Sequence, residues 1–158
     1  NAMIAKIGEN LILNDLIIKE NKQCEFSFYI HNSYRKNIGK IISLIEYSTS
    51  NKNNEIETLS KNICMHIAAM KPESIDVDDL DKNLVKSEEK LQRELILSSG
   101  KPSNIVEKIL DGKMKKFFSE VTLLNQSFIL DQDKTVRQVI DQHSETDFKL
   151  ISFDLINL

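Results

Sequence analysis

Apolar residues in the first third of the chain follow a different rhythm from those further on. Ile4 and Ile7 stand three apart and Gly8 follows, which reads as the end of a helix. Three runs rich in alternating or β-branched residues come next: LILNDLIIKE (11–20), CEFSFYIHN (24–32) and NIGKIISLIEYS (37–48). Separated by Asn, Lys and Gln rather than by a helix, they predict a three-stranded antiparallel meander. In the second run Cys24, Phe26, Phe28 and Ile30 share one face, and Glu25, Ser27, Tyr29 and His31 share the other. One face is expected to be buried and the other partly wet.

The polar stretch STSNKNN (48–54) reads as a loop whose last residue, Asn54, caps a helix running to about Met70. Ile56, Leu59, Ile63, Ile67 and Met70 form its apolar stripe, expected to cover the sheet, and Lys71-Pro72 ends it. Residues 74–121 lack strand alternation and carry two helical stripes, Leu80, Leu84, Leu91 and Leu95, then Val106, Leu110, Met114, Phe117 and Val121. Gly100-Lys101-Pro102 between them combines a helix-stop glycine with a helix-start proline, which predicts an antiparallel hairpin arm. Beyond it come a short extended piece around Phe128 to Leu130, a small helix capped by Thr135 and reaching about His143, and a last strand, DFKLISFDL (147–155). In that strand Lys149, Ile151, Phe153 and Leu155 are expected to be the more buried set. The strand is expected to return to the first sheet. The predicted class is α+β: an antiparallel sheet of three to four strands packed on helices, with an inserted helical hairpin, a coiled-coil arm.

The 158 residues are enough for one domain, and 41% hydrophobic with 28% charged residues is a folding composition. A net charge of −3 and a pI of about 5.7 give no general attraction to nucleic acid or anionic lipid. No apolar run approaches the roughly 20 residues that span a bilayer. Two widely spaced cysteines, Cys24 and Cys64, fit a reducing cytosol, so a cytoplasmic location is expected. With four glycines the chain has no phosphate loop, dinucleotide fingerprint or nucleophile elbow. Cys64 and His66, two positions apart on a helix, point about 200° from each other and cannot clamp one metal. They read as a core cysteine beside a partly exposed histidine. His31 has no acid or nucleophile spaced to work with it. The basic run Lys113 to Lys116 reads as a solvated helix face, and the acidic stretch SIDVDDLD (74–81) as helix-start chemistry. No catalytic residue, cofactor or metal is therefore expected.

The phrases AKIGEN (5–10), HIAAMKP (66–72), SSGKPSNIVEKILDGKMKKFFSEVTLLNQSFI (98–129) and DKTV (133–136), in this order and spacing, resemble the bacterial elongation factor Ts family. Members of that family are guanine-nucleotide exchange factors, not enzymes of covalent chemistry. They bind elongation factor Tu with GDP and promote GDP release. The resemblance implies that residues 3–73 and 122–158 form the C-terminal core half and that 74–121 form the helical hairpin, or dimerization, region. The family's N-terminal module and N-terminal core half are expected to be absent, so this chain should dock on elongation factor Tu but exchange poorly.

Four residues match family positions that contact the partner: Ile7 in AKIGEN, His31 after Phe28-Tyr29-Ile30, and the pair Ile129-Leu130. The loop after His31 departs from the family pattern in being longer and richer in Asn. Thr146-Asp147-Phe148 looks like the start of the family's Thr-Asp-Phe-Val motif, but it begins a strand instead of leading into a helix and is set aside. Two other readings remain open. One is a self-association module, a homodimer held through hairpin residues Leu84, Leu91, Leu95, Val106, Leu110, Met114 and Phe117. The other is RNA binding through the KMKK face.

Overall fold

The computed structural model describes residues 2–10 and 12–157, with the elements in the order of an α+β protein. Helix α1 (Ala2–Ile7) ends as its glycine dictates: Gly8 takes a positive φ of 76° and its N–H bonds the Ile4 carbonyl at 2.9 Å. Strands β1 (Glu25–His31) and β2 (Ile41–Ser48) pair antiparallel, from Glu25 opposite Tyr47 to His31 opposite Ile41.

The first apolar run is not a strand. Its leading Leu11 lies outside the described residues, and residues 12–20 are irregular, with Ile12, Leu13, Leu16 and Ile18 exposed. Asp15 sits in the middle of the run and its carboxylate accepts the Leu16 N–H, a local bond that competes with ladder pairing. The third strand is β5 (Lys149–Asn157), which takes the other side of β2 to give the order β1-β2-β5. Lys19 pairs with Asp154 at 2.8 Å and Asn21 donates to Glu46 at 2.6 Å, tying the segment before β1 to β2 and β5.

Helix α2 (Asn54–Met70) covers the sheet. Its cap is Asn53, one residue earlier than expected, whose side chain accepts the Ile56 N–H at 2.9 Å. The core joins Ile56, Leu59, Ile63 and Ile67 from α2 to Ile45 and Tyr47 from β2, with Phe153 and Leu155 packed from β5. Met70, placed in the same stripe by spacing, is exposed.

On β1 the residue sealed under the helix is Ser27, whereas Phe28 is exposed. Ser43 is likewise buried on β2. Both serines meet Cys64 of α2 through hydrogen bonds, and Ser60 and Ala68 are buried on the same helix. The register of β5 slips opposite Glu46 and Tyr47, where Ser152 pairs with Glu46 and Leu150 with Tyr47. That bulge replaces Ile151 by Leu150 on the inner face, which is why Ile151 is exposed instead of buried.

The arm begins at Ser74. Asp76 caps a 3-10 turn, Val77–Asp79, and Asp81 caps α3 (Lys82–Ser98). Gly100, with φ 71°, reverses the chain into α4 (Ser103–Val121). Ile96, Val106 and Leu110 form a separate small core between the two helices, with Ile109 and Met114 against it. Leu80 precedes α3 and is buried, while Leu84, Leu91 and Leu95 are 40%, 50% and 53% exposed. These three leucines of α3 are therefore outside that small core, although Leu95 lines a cleft with Ile109 and Lys113 of α4. Arg93 instead bridges the helices, binding Glu107 of α4 as well as Glu89 of its own helix. Phe117 is half-buried beside Phe118.

The chain re-enters the base beside its exit. Glu73 N–H bonds the Val121 carbonyl at 2.8 Å, and Leu123 N–H bonds the Ser74 carbonyl at 2.9 Å. A two-stranded sheet follows, β3 (Ser127–Phe128) with β4 (Asp131–Thr135), then α5 (Val136–Asp141). Thr135 caps α5 in a reciprocal box with Gln138.

Candidate functional site: a groove at the end of the sheet

His31 closes β1, and Tyr29, on the same strand face, places its hydroxyl 3.2 Å from His31 Nδ1. Against them lies the C-terminal half of α2. Alternation along β1 and the 3.6-residue turn of α2 together open a groove of ≈ 390 Å³ lined by Tyr29, His31, Ile41, Met65, Ala68, Ala69, Lys71 and Ile129. The two alanines make its floor shallow. Lys71 takes the left-handed conformation at the helix end, with φ 48°, and its N–H bonds the Ile67 carbonyl at 2.9 Å.

The loop after His31 is held close. Lys40 N–H bonds the His31 carbonyl at 3.2 Å, and Asn32 and Asn37 occupy left-handed φ values of 50° and 63°, which asparagine tolerates. At Gly39 an added Cβ would stand 2.3 Å from Ile30 Cγ2 and 2.7 Å from the His31 carbonyl. Only glycine lets the loop fold back onto the strand there.

Ile129 and Leu130 form the turn between β3 and β4, since Phe128 pairs with Asp131. Two-residue turns ordinarily favour Gly, Asn or Asp, yet here two large apolar side chains occupy the tip, 36% and 55% exposed. The fold thus brings His31 and Ile129 to one groove although 98 positions separate them in sequence. Leu130 stands beside the groove, not in its lining. Ile7 is exposed on α1 and contributes nothing to the lining.

Two residues that the sequence reading left without a role lie directly behind the tip. His66, expected to be partly exposed, is fully buried, with Nε2 2.9 Å from Gln126 Oε1 and Nδ1 3.2 Å from the Ile129 amide nitrogen. Its spacing from Leu59 and Ile63 along α2 already put it on the covering face, and that signal was available. Burial lowers the His66 pKa from its ordinary 6.5, against the opposing pull of the Gln126 bond. Burial likewise pushes the Cys64 thiol up to about 12. Cys64 and His66 point to different partners, the first to the Ser27 carbonyl and the second to Gln126, in keeping with their opposed angles on the helix.

Along the N-terminal half of α2, a cavity of ≈ 420 Å³ is lined by Asn54, Glu55, Thr58, Leu59, Asn62, Phe128, Val139 and His143. Glu55, His143 and Glu145 each place a ligand atom within 4.8 Å of the others, the one trio among the described residues with metal-ligand reach. Among the described residues no helix is long and apolar enough to cross a membrane.

The groove has apolar walls, one imidazole and one ammonium. The family model described as Elongation factor TS matches residues 1–158. The chain belongs to the elongation factor Ts family. Elongation factor Ts of Rickettsia akari is 40% identical over 156 residues, covering 96% of this chain and 50% of that protein. That of Rickettsia bellii is 41% identical over 138 residues, 87% of this chain and 45% of the relative. That of Ehrlichia canis is 36% identical over 137 residues, with 87% and 48% covered. The chain therefore spans about half the length of the curated relatives it matches. The phrases that carry the resemblance also supply the groove and its backing: HIAAMKP holds His66, Ala68, Ala69 and Lys71, and NQSFI holds Gln126, Phe128 and Ile129.

Proposed function

We propose that this chain is the C-terminal core half and helical arm of an elongation factor Ts, and that it docks on elongation factor Tu through the groove between His31 and Ile129. The supporting observation is the apolar turn Ile129-Leu130, exposed where a polar turn would be expected, beside the imidazole of His31. Tip and groove offer a partner a small apolar anchor with a polar rim, the usual anatomy of a docking centre. The parent protein acts by binding the nucleotide-poor state of the GTPase more tightly, which shifts its population and releases GDP. Docking by this half supplies binding without the N-terminal core half, so slow exchange by this chain is expected.

Calorimetric titration into nucleotide-free elongation factor Tu tests the reading. A one-to-one saturating signal is expected, weakened about tenfold or more by Ile129→Ala or Leu130→Ser, as for anchor residues of an interface. Binding of the complete parent protein with none by this chain, or binding indifferent to both substitutions, would refute it.

A second reading rests on the exposed leucines of α3. Leu84, Leu91 and Leu95 present an uncovered apolar stripe that fits self-association of the arm. Sedimentation of the chain against that of Leu91→Gln/Leu95→Gln separates it from docking, because those positions are remote in sequence from the groove residues.

A further inference from the structure

We propose that His66 is a positioning residue for the Ile129-Leu130 tip: a neutral imidazole with its proton on Nε2, it holds the Ile129 N–H and, through Gln126, links the tip to the last turn of the arm. Its importance for binding rests on the docking reading above. The geometry itself does not.

The tip is poorly determined by its own residues. Strand β3 has two residues, and its register with β4 slips between Ser127 and Phe128. Neither Ile129 nor Leu130 has a positive φ, so the connection is not one of the mirror-image turns that fit a tight hairpin. Something outside the hairpin has to set it, and the Ile129 N–H reaches His66 Nδ1 at 3.2 Å.

That single bond dictates the rest of the chain of contacts. To accept from Ile129, Nδ1 carries no proton, so the proton is on Nε2, which donates to Gln126 Oε1 at 2.9 Å. With its oxygen so engaged, the Gln126 amide turns its NH₂ to the Glu120 carbonyl, 2.7 Å away in the last turn of α4. The Gln126 main chain is fixed as well, its N–H on the Thr122 carbonyl at 3.1 Å and its carbonyl on the Val136 N–H at 3.0 Å. His66 and Gln126 are both sealed from solvent, and the Phe128 ring stacks on the imidazole at 5.7 Å. An apolar pair would fill this space without any need for partners. A buried polar relay with every role assigned instead specifies one arrangement of helix, arm and tip. Burial opposes a charge on His66, which agrees with an acceptor Nδ1.

The test uses the chain with nitrogen-15 label. Long-range imidazole correlations should show the Nε2–H tautomer for His66, and the Ile129 amide should exchange slowly. His66→Leu, which removes both bonds, should speed exchange at Ile129 about tenfold, the effect of one net hydrogen bond, while interior amides of α2 and α4 stay protected. His66→Asn restores an acceptor near the Nδ1 position and should recover most of that protection. Affinity for nucleotide-free elongation factor Tu should follow the Ile129 exchange rate across the three proteins. An Nδ1–H tautomer overturns the proposal, as does Ile129 protection that is unchanged in a folded His66→Leu or not recovered in His66→Asn. If His66→Leu does not fold, the tautomer and His66→Asn decide. Exchange that behaves as expected, with affinity indifferent to these variants and to Ile129→Ala, supports the positioning role and refutes the docking reading.

Discussion

Ser43 and Cys64 join the sheet to its covering helix: the Ser43 hydroxyl donates to the Cys64 carbonyl at 2.6 Å, and the Cys64 thiol donates to the Ser27 carbonyl at 3.3 Å. All three residues are buried, and these two bonds satisfy the Ser43 hydroxyl and the Cys64 thiol between helix and sheet. With its pKa at about 12 and no access to solvent, the Cys64 thiol is inert in the native state. A thiol reagent at neutral pH should label Cys24 first and reach Cys64 only with global unfolding. Mass spectrometry of partly labelled protein reads the order. Ser43→Ala should cost about 1 kcal/mol in denaturant unfolding, as for one net hydrogen bond.

Acid weakens the fold in two separate windows. The folded His66 pKa lies below the ordinary 6.5, so as pH falls through that value the unfolded chain takes a proton and the folded one does not. Stability is full above 6.5 and declines below it until the buried imidazole also protonates. Asp76 acts lower down. Burial would raise its pKa, but the Arg137 bond at 2.5 Å, the Val77 N–H and Asn125 outweigh that and hold it below 3.8. Its contribution is present above 3.8 and is lost as pH falls through the folded value. Denaturant midpoints measured from about pH 7.5 to pH 5.5 should fall, and His66→Asn should flatten that fall while leaving the more acidic loss in place.

Gly39→Ala should displace the His31 loop. The new methyl has no room against Ile30 and the His31 carbonyl, so β1 or the loop must shift. A loss of about 1–3 kcal/mol is expected, the range for overpacking. Under the docking reading it comes with weaker binding to elongation factor Tu. Thermal unfolding and calorimetry of one variant measure both.

The arm separates apolar residues that stabilise from those that do not. Leu110→Ala removes a buried side chain from the small core between α3 and α4 and should cost about 2–4 kcal/mol. Leu91→Gln and Leu95→Gln, on the exposed stripe, should each stay within about 0.5 kcal/mol. Arg93→Ala should barely move the melt, because both its guanidinium and its carboxylate partners are open to solvent and screened. Thermal melts rank the four.

What the sequence disclosed was whatever local chemistry controls. Gly8, Gly100, Pro102 and Thr135 placed ends, turn and cap close to where they occur. The stripe Ile56, Leu59, Ile63 and Ile67 identified the helix face that covers the sheet. Tertiary pairing was harder to read. Residues 12–20 have strand composition, but β2 has two edges and β5 takes the second. Ser27 and Ser43 look like solvent residues until the Cys64 contacts that satisfy them are known. On α3 the leucines suggested the inner face, yet Ile96 and Arg93 make the contacts with α4. Of the candidate site, His31 and Ile129 were named in advance, whereas the His66-Gln126 link behind them depends on a meeting 60 positions apart.

Both ends of the arm enter the base at one point, where Glu73 meets Val121 and Ser74 meets Leu123. A segment attached in that way can grow or shrink by whole helical turns at its far end without any strand of the base having to find a new neighbour. Changes of length at the far end of the arm therefore leave the root, where Glu120 meets Gln126, and the sheet beneath it as they are.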